Sequence, residues 1–159
     1  MLGLNLLLAR RNQEAITQLR TATLVTPGNW WVHALLARAY AQLKMFPEAI
    51  AEARLAVAAG PQMAEAHATL GRVYADAGQA QEAEKILAEL WSRTDINIPP
   101  HFVAVVLIGL GRHDEALDEL ATAIEQRSWL VMGWKVDPDL DPLRDDPRLV
   151  ELLQRVGSQ

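Results

Sequence analysis

The dipeptide Glu-Ala returns at 14–15, 48–49, 82–83 and 115–116, so its alanines stand 34, 34 and 33 residues apart. A fixed period of this length marks a repeat architecture, in which one supersecondary unit stacks on the next. Each Glu-Ala opens a segment with helical apolar spacing: Ala15, Leu19, Ala22; Ala49, Ala53, Ala56; Ala83, Leu87, Leu90; Ala116, Leu120, Ala123. Upstream lies a second apolar segment, as in Leu36, Ala37, Tyr40 and again Leu70, Gly71, Tyr74, with a short polar turn between the two. The predicted unit is a helical hairpin. Small residues at matching places let its helices approach closely, and Tyr40 and Tyr74 fill the space beside them.

These residues resemble the tetratricopeptide repeat (TPR), whose expected order is a large residue, Leu, Gly or Ala, Tyr, then Ala, an apolar residue, Ala and Pro. Residues 30–63 supply His33, Leu36, Ala37, Tyr40, Ala49, Ala53, Ala56 and Pro61. Residues 64–97 supply His67, Leu70, Gly71, Tyr74, Gly78, Ala83, Leu87 and Leu90, with Asp95 at the proline place. A looser unit, 97–127, has Val103, Ala104, Leu107, Gly111, Ala116, Leu120 and Ala123, followed by Ser128 at that place. The first unit is cut: Leu2, Gly3 and Leu6 fit the end of a first helix, and Ala15, Leu19, Ala22 and Pro27 the second. The resemblance implies an all-α fold, a right-handed superhelical array of TPR hairpins over 1–127, with 128–159 as a proline-rich extension and C-terminal capping helix. The cut unit leaves Leu4, Leu7 and Leu8 with less to bury against, which predicts a larger parent protein or self-association through this end.

Composition narrows the function. With 15 Lys+Arg against 20 Asp+Glu, the net charge is −5 and no broad basic field exists to bind a nucleic-acid backbone directly. The absence of cysteine removes disulfides, thiolate metal sites and cysteine nucleophiles, and suits a reducing, cytoplasmic setting. In MLGLNLLLARR the charge follows an apolar run too short to span a bilayer, so it reads neither as a signal peptide nor as a membrane anchor.

After the last repeat the period stops. Asp146 suits an N-cap, Pro147 a first helical position and Gly157 a terminus, and Leu149, Leu152, Leu153 and Val156 form one stripe of a final helix. The order Trp134, Lys135 to Pro138, Asp141 to Arg144 and Asp146 to Arg148 resembles the C-terminal end of repeat regions in bacterial multidomain regulators: nucleotide cyclases, serine/threonine kinases and winged-helix regulators. Asp137, Asp139 and Asp141 begin like a calcium loop, but Pro142 stands where the turn glycine belongs and Arg148 where the bidentate glutamate belongs. The tail acids are instead expected to cap turns while Leu140 and Leu143 point inward.

His33, His67 and His101 share one repeat phase, so they lie about 10 Å apart, too far for one zinc, and read as packing or surface residues. His113, beside Asp114 and Glu115, has no nucleophile or oxyanion donor assigned to it and reads as a helix start. No catalytic, cofactor or metal residue is therefore assigned. The competing class is a small metal-dependent hydrolase using the acidic tail with His101 or His113. The resemblance places function in the groove lined by first helices: Trp31, Ala34, Arg38 and Gln42, then Glu65, Ala68, Arg72 and Asp76, then His101 and Val105. Arg38 and Arg72 could grip acidic groups of a peptide, helix or sister subunit, or pair with Glu65 and Asp76. The lysines and asparagines of the family's carboxylate-clamp subset are not at these places, which disfavours a chaperone C-terminus. Trp30 and Trp31 are candidate anchors or covers for the preceding hairpin; Trp91, Trp129 and Trp134 are expected to pack.

Overall fold

The computed structural model describes residues 2–93 and 97–157, and Asp95, at one proline place, lies outside them. Eight helices follow the repeat phase in four antiparallel pairs: α1 (Leu2–Leu8) with α2 (Asn12–Val25), α3 (Trp30–Gln42) with α4 (Phe46–Ala59), α5 (Ala64–Asp76) with α6 (Ala80–Ser92), and α7 (Pro100–Gly109) with α8 (His113–Glu125). The described residues contain no strand. First helices also pack on one another, α1 on α3, α3 on α5 and α5 on α7, so they share one face of the stack.

The hairpin turns explain the period at the level of the backbone. Arg10, Lys44, Gly78 and Gly111 all have positive φ, between 58° and 79°, at spacings set by the repeat. Each is the left-handed residue that ends a first helix. The next residue's N–H then bonds back across the turn, from Arg11 to the Leu6 carbonyl, Met45 to Tyr40, Gln79 to Tyr74 and Arg112 to Leu107, at 2.8–3.0 Å. Lone helix-end carbonyls are thereby satisfied in every unit.

Of the alanines read at the close-approach places of the helices, Ala15, Ala49, Ala53, Ala56, Ala83, Ala116 and Ala123 are fully buried and Ala22 is partly buried. Gly71 serves the same purpose, since a Cβ there would stand 2.9 Å from the Ile86 Cγ2. Leu7 is fully buried in the same core, contrary to its expected lack of cover, because α2 and α3 close over it; Leu2 is exposed and Leu4 and Leu8 are intermediate.

Beyond α8, two 3-10 segments (Trp129–Gly133 and Pro138–Leu143) lead to α9 (Pro147–Gly157). Asp137 caps the second by accepting from the Asp139 N–H at 3.0 Å, and Asp146 accepts from the Arg148 N–H at 2.9 Å at the start of α9. Leu140, Leu143 and Leu149 are buried as expected. The path of the tail is the departure from expectation. On the last hairpin α9 packs against α8 and the second 3-10 segment against α7; that segment also doubles back across the shared face of first helices. No helix among the described residues is long and apolar enough to cross a membrane.

Candidate functional site

The groove face is where the tail lies. Arg38, from the middle of α3, sends one guanidinium nitrogen to Asp137 at 2.8 Å and Asp139 at 2.9 Å, and all three side chains are largely buried. Arg72, one repeat on, pairs with Asp76 at 2.9 Å within its own helix and donates to the Asp139 carbonyl at 2.9 Å. Gly109 makes room for this reach, because a Cβ there would meet the Arg72 Cδ at 2.6 Å. Arg144 donates to the carbonyls of Trp134 at 2.7 Å and Asp137 at 2.6 Å. Two guanidiniums, those of Arg72 and Arg144, thus bond backbone carbonyls of the tail, while Arg38 bonds its carboxylates. At the far end Arg10, in the first hairpin turn, holds Asp141 through two bonds of 2.5 and 2.9 Å, spanning the groove from the last unit to the first.

Charge explains why this segment stays down. Burial works against ionisation of Arg38, but Asp139 and Asp137 outweigh it and raise its pKa. Burial likewise works against the Asp139 carboxylate, yet Arg38, Arg72 and His101 hold its pKa below the ordinary range. Asp141 is also lowered: burial opposes this, and Arg10 and Arg144 override it. Two carboxylates go the other way. Asp76 is raised, chiefly by burial and against the pull of Arg72. Glu65 is raised by burial, which Arg38 opposes and Asp139 and Asp137 reinforce; a Trp31 hydrogen bond lowers it.

The sequence-predicted residues divide accordingly. Arg38 and Arg72 do grip acidic groups, but those of their own chain, and Arg38 pairs with the tail rather than with Glu65. Gln42 lines a small groove pocket with both arginines and Asp76. Ala34 is not in the groove; it is buried among Trp30, Ala56 and Ala66, between α3, α4 and α5. Ala68 and Val105 do face the groove. Trp30 does not cover the preceding hairpin: it packs over Gly60 at the end of its own, where a Cβ would stand 2.7 Å from its Cγ, and against the cluster of Ala34, Ala56 and Ala66.

The histidines have three different surroundings. His33 bonds the Pro27 carbonyl through Nε2 at 2.9 Å and Glu52 through Nδ1 at 2.6 Å; burial lowers its pKa, but Glu52 and that carbonyl raise it overall. His67 repeats the carbonyl bond, to Pro61 at 2.8 Å. His101 is buried, stacks on Trp134 with centroids 5.9 Å apart, and has its pKa lowered by burial and Arg38 against Asp137 and Asp139. The described residues hold no group of three or more metal-ligating side chains.

Two tryptophans depart from the packing expected of them. Trp134 is fully buried, but Trp129 is 80 % exposed and Trp91 is half exposed beneath Arg112. Trp129 stands at the groove mouth, where Trp31, Glu65, Phe102 and Pro99 join it around an open slot of about 620 Å³. Leu4, Leu8, Leu130 and Met132 extend the apolar lining from there toward the first repeat. Repeat phase could not find Trp129 or Met132, because both come from a segment outside the repeats.

Residues 6–62 match the tetratricopeptide repeat family. The chain of the crystal structure of MamA aligns over 99 % of this chain and 94 % of its own length, with a TM-score of 0.52 and 16 % identity. The fold is an all-α, TPR-like array of helical hairpins. No curated protein matches the sequence. The paired helices, left-handed turns and continuous face of first helices present a broad surface, and one segment of the chain itself already occupies part of it.

Proposed function

We propose that this TPR array is a noncatalytic protein-interaction scaffold, the C-terminal repeat region of a bacterial signalling or regulatory protein, which docks a peptide or helix of a partner on its concave face. The observation that carries this reading is the tail itself: a short 3-10 segment held in the groove through Arg38 and Arg72 at side chains and a carbonyl. The bacterial regulatory setting rests on the sequence order from Trp134 to Arg148. The tail acids serve structure rather than hydrolysis, since Asp137, Asp139 and Asp141 are each engaged by arginine.

A photo-cross-linking residue at position 102, in the groove, or at position 55, exposed on α4, tests the docking face in the cell that encodes the protein. The expected result is a partner captured from position 102 and absent from position 55. Capture from position 55 alone, or equally from both, overturns the reading.

A further inference from the structure

The tail divides the groove into two chemically different halves. Its aspartates cover the arginines, so the cationic half has its acidic ligand already in place. What stays open is the aromatic half, where Trp31 and Phe102, both partly buried, face the exposed Trp129 across the slot. The exposed Met132 continues the rim.

The charge balance of the groove is uneven. Around Asp139, the guanidiniums of Arg38 and Arg72 meet the carboxylates of Asp76, Asp137, Glu65 and Asp139 itself. Asp76, Asp137 and Asp139 each have a guanidinium within 2.9 Å. Among the described residues, Glu65 has no cation at ion-pair distance, and it is the acid that lines the slot. Its carboxylate stands with Trp31, Phe102 and Trp129 around the slot.

A carboxylate without a contacting counter-ion, set among aromatic faces, has one complementary ligand chemistry. The ring faces attract a cation through their quadrupoles, and a partly desolvated carboxylate strengthens that attraction. An acidic ligand would meet Glu65, Asp137 and Asp139 and be repelled; a purely apolar one would leave the Glu65 carboxylate further desolvated without a counter-ion.

We propose that the slot between Trp31, Phe102 and Trp129 receives an arginine or lysine side chain of an extended partner segment, with Glu65 as its counter-ion and Met132 contacting an apolar neighbour. This rests on the docking reading above and reverses the sign of partner charge that Arg38 and Arg72 suggest in the sequence.

Selection of a displayed random heptapeptide library on the whole purified chain tests it, followed by fluorescence anisotropy of a synthetic selected peptide. Enriched peptides are expected to carry Arg or Lys beside an apolar residue. Glu65→Gln and Trp129→Ala should each weaken binding about tenfold, while Leu55→Ala on α4 leaves it unchanged. Both substitutions spare the fold, one being isosteric and the other at an exposed ring, and far-UV circular dichroism checks this. Acidic or neutral peptides that bind wild type and lose affinity in Trp129→Ala would overturn the cation slot while leaving the docking face standing. Basic peptides indifferent to Glu65→Gln overturn it as well. If no peptide is enriched, both readings fall.

Discussion

Glu65 and Arg38 lie in the same groove and have opposite effects on its stability. Glu65 stands in the first turn of α5, where the helix dipole favours a carboxylate, yet burial and the tail aspartates outweigh this and raise its pKa. A raised carboxylate pKa means the folded state binds more protons than the unfolded one, so stability falls as pH rises through it. Glu65→Gln is therefore expected to stabilise the protein at pH 7 and to have little effect at pH 3, read as the shift in urea midpoint at each pH. Arg38 is the reverse case. Its removal leaves Asp137 and Asp139 buried without their cation, and Arg38→Met should cost about 3–5 kcal/mol, part of it recovered by adding Asp139→Asn. If Arg38→Met unfolds at the wild-type urea midpoint, the tail is not held by this pair.

At the scale of elements, the hairpin turn is the repeated device. Lys44 and Arg10 take the left-handed conformation with a Cβ, which costs roughly 1–2 kcal/mol relative to an unstrained position, whereas Gly78 and Gly111 take it freely. Lys44→Gly should then be close to neutral or stabilising, and Gly78→Ala destabilising by about 1 kcal/mol although nothing lies within 4 Å of the added Cβ. Thermal midpoints of the two variants moving in the same direction would refute this account of the turns. The tail depends on packing instead. Trp134 is fully buried against His101, and Trp134→Ala should cost about 3–5 kcal/mol by denaturant titration.

For the whole molecule, the clasp couples the two ends of the array to pH. Asp139 and Asp141 have lowered pKa values, so their contribution is full above the ordinary carboxylate range, about pH 4, and is lost as pH falls through the folded values. His101, also lowered, contributes above about pH 6.5 and loses that contribution as pH falls through its folded pKa. Asp137, Asp139 and Arg38 are the charged groups facing it, the first two easing its protonation and the third opposing it. His33 has the opposite sign, stabilising below about pH 6.5 and losing this as pH rises through its raised pKa. Acidification from pH 7 to 3 should thus loosen the tail before the repeats melt, with the near-UV signal of Trp134 lost at higher pH than far-UV helicity. Coincident loss of both signals would show that tail and repeats open as one unit.

The repeat, its hairpin turns and its buried alanines were legible in the sequence because each follows from local chemistry recurring at a fixed spacing. The capping roles of Asp137 and Asp146 and the burial of Leu140 and Leu143 were legible for the same reason, since a residue caps a turn next to it in the chain. Equivalent groove places on Arg38 and Arg72 also followed from phase, as did the attraction of both for acidic groups. Which acids they would meet did not. Arg10 and Asp141 lie 131 residues apart, and Arg38 and Asp137 99 apart; no local rule joins them. Only the stacking of four units sets the curvature and length of the groove that the tail then crosses. That crossing decided that Trp129 faces solvent, that Trp134 does not, and that Glu65 is the groove acid without a contacting cation.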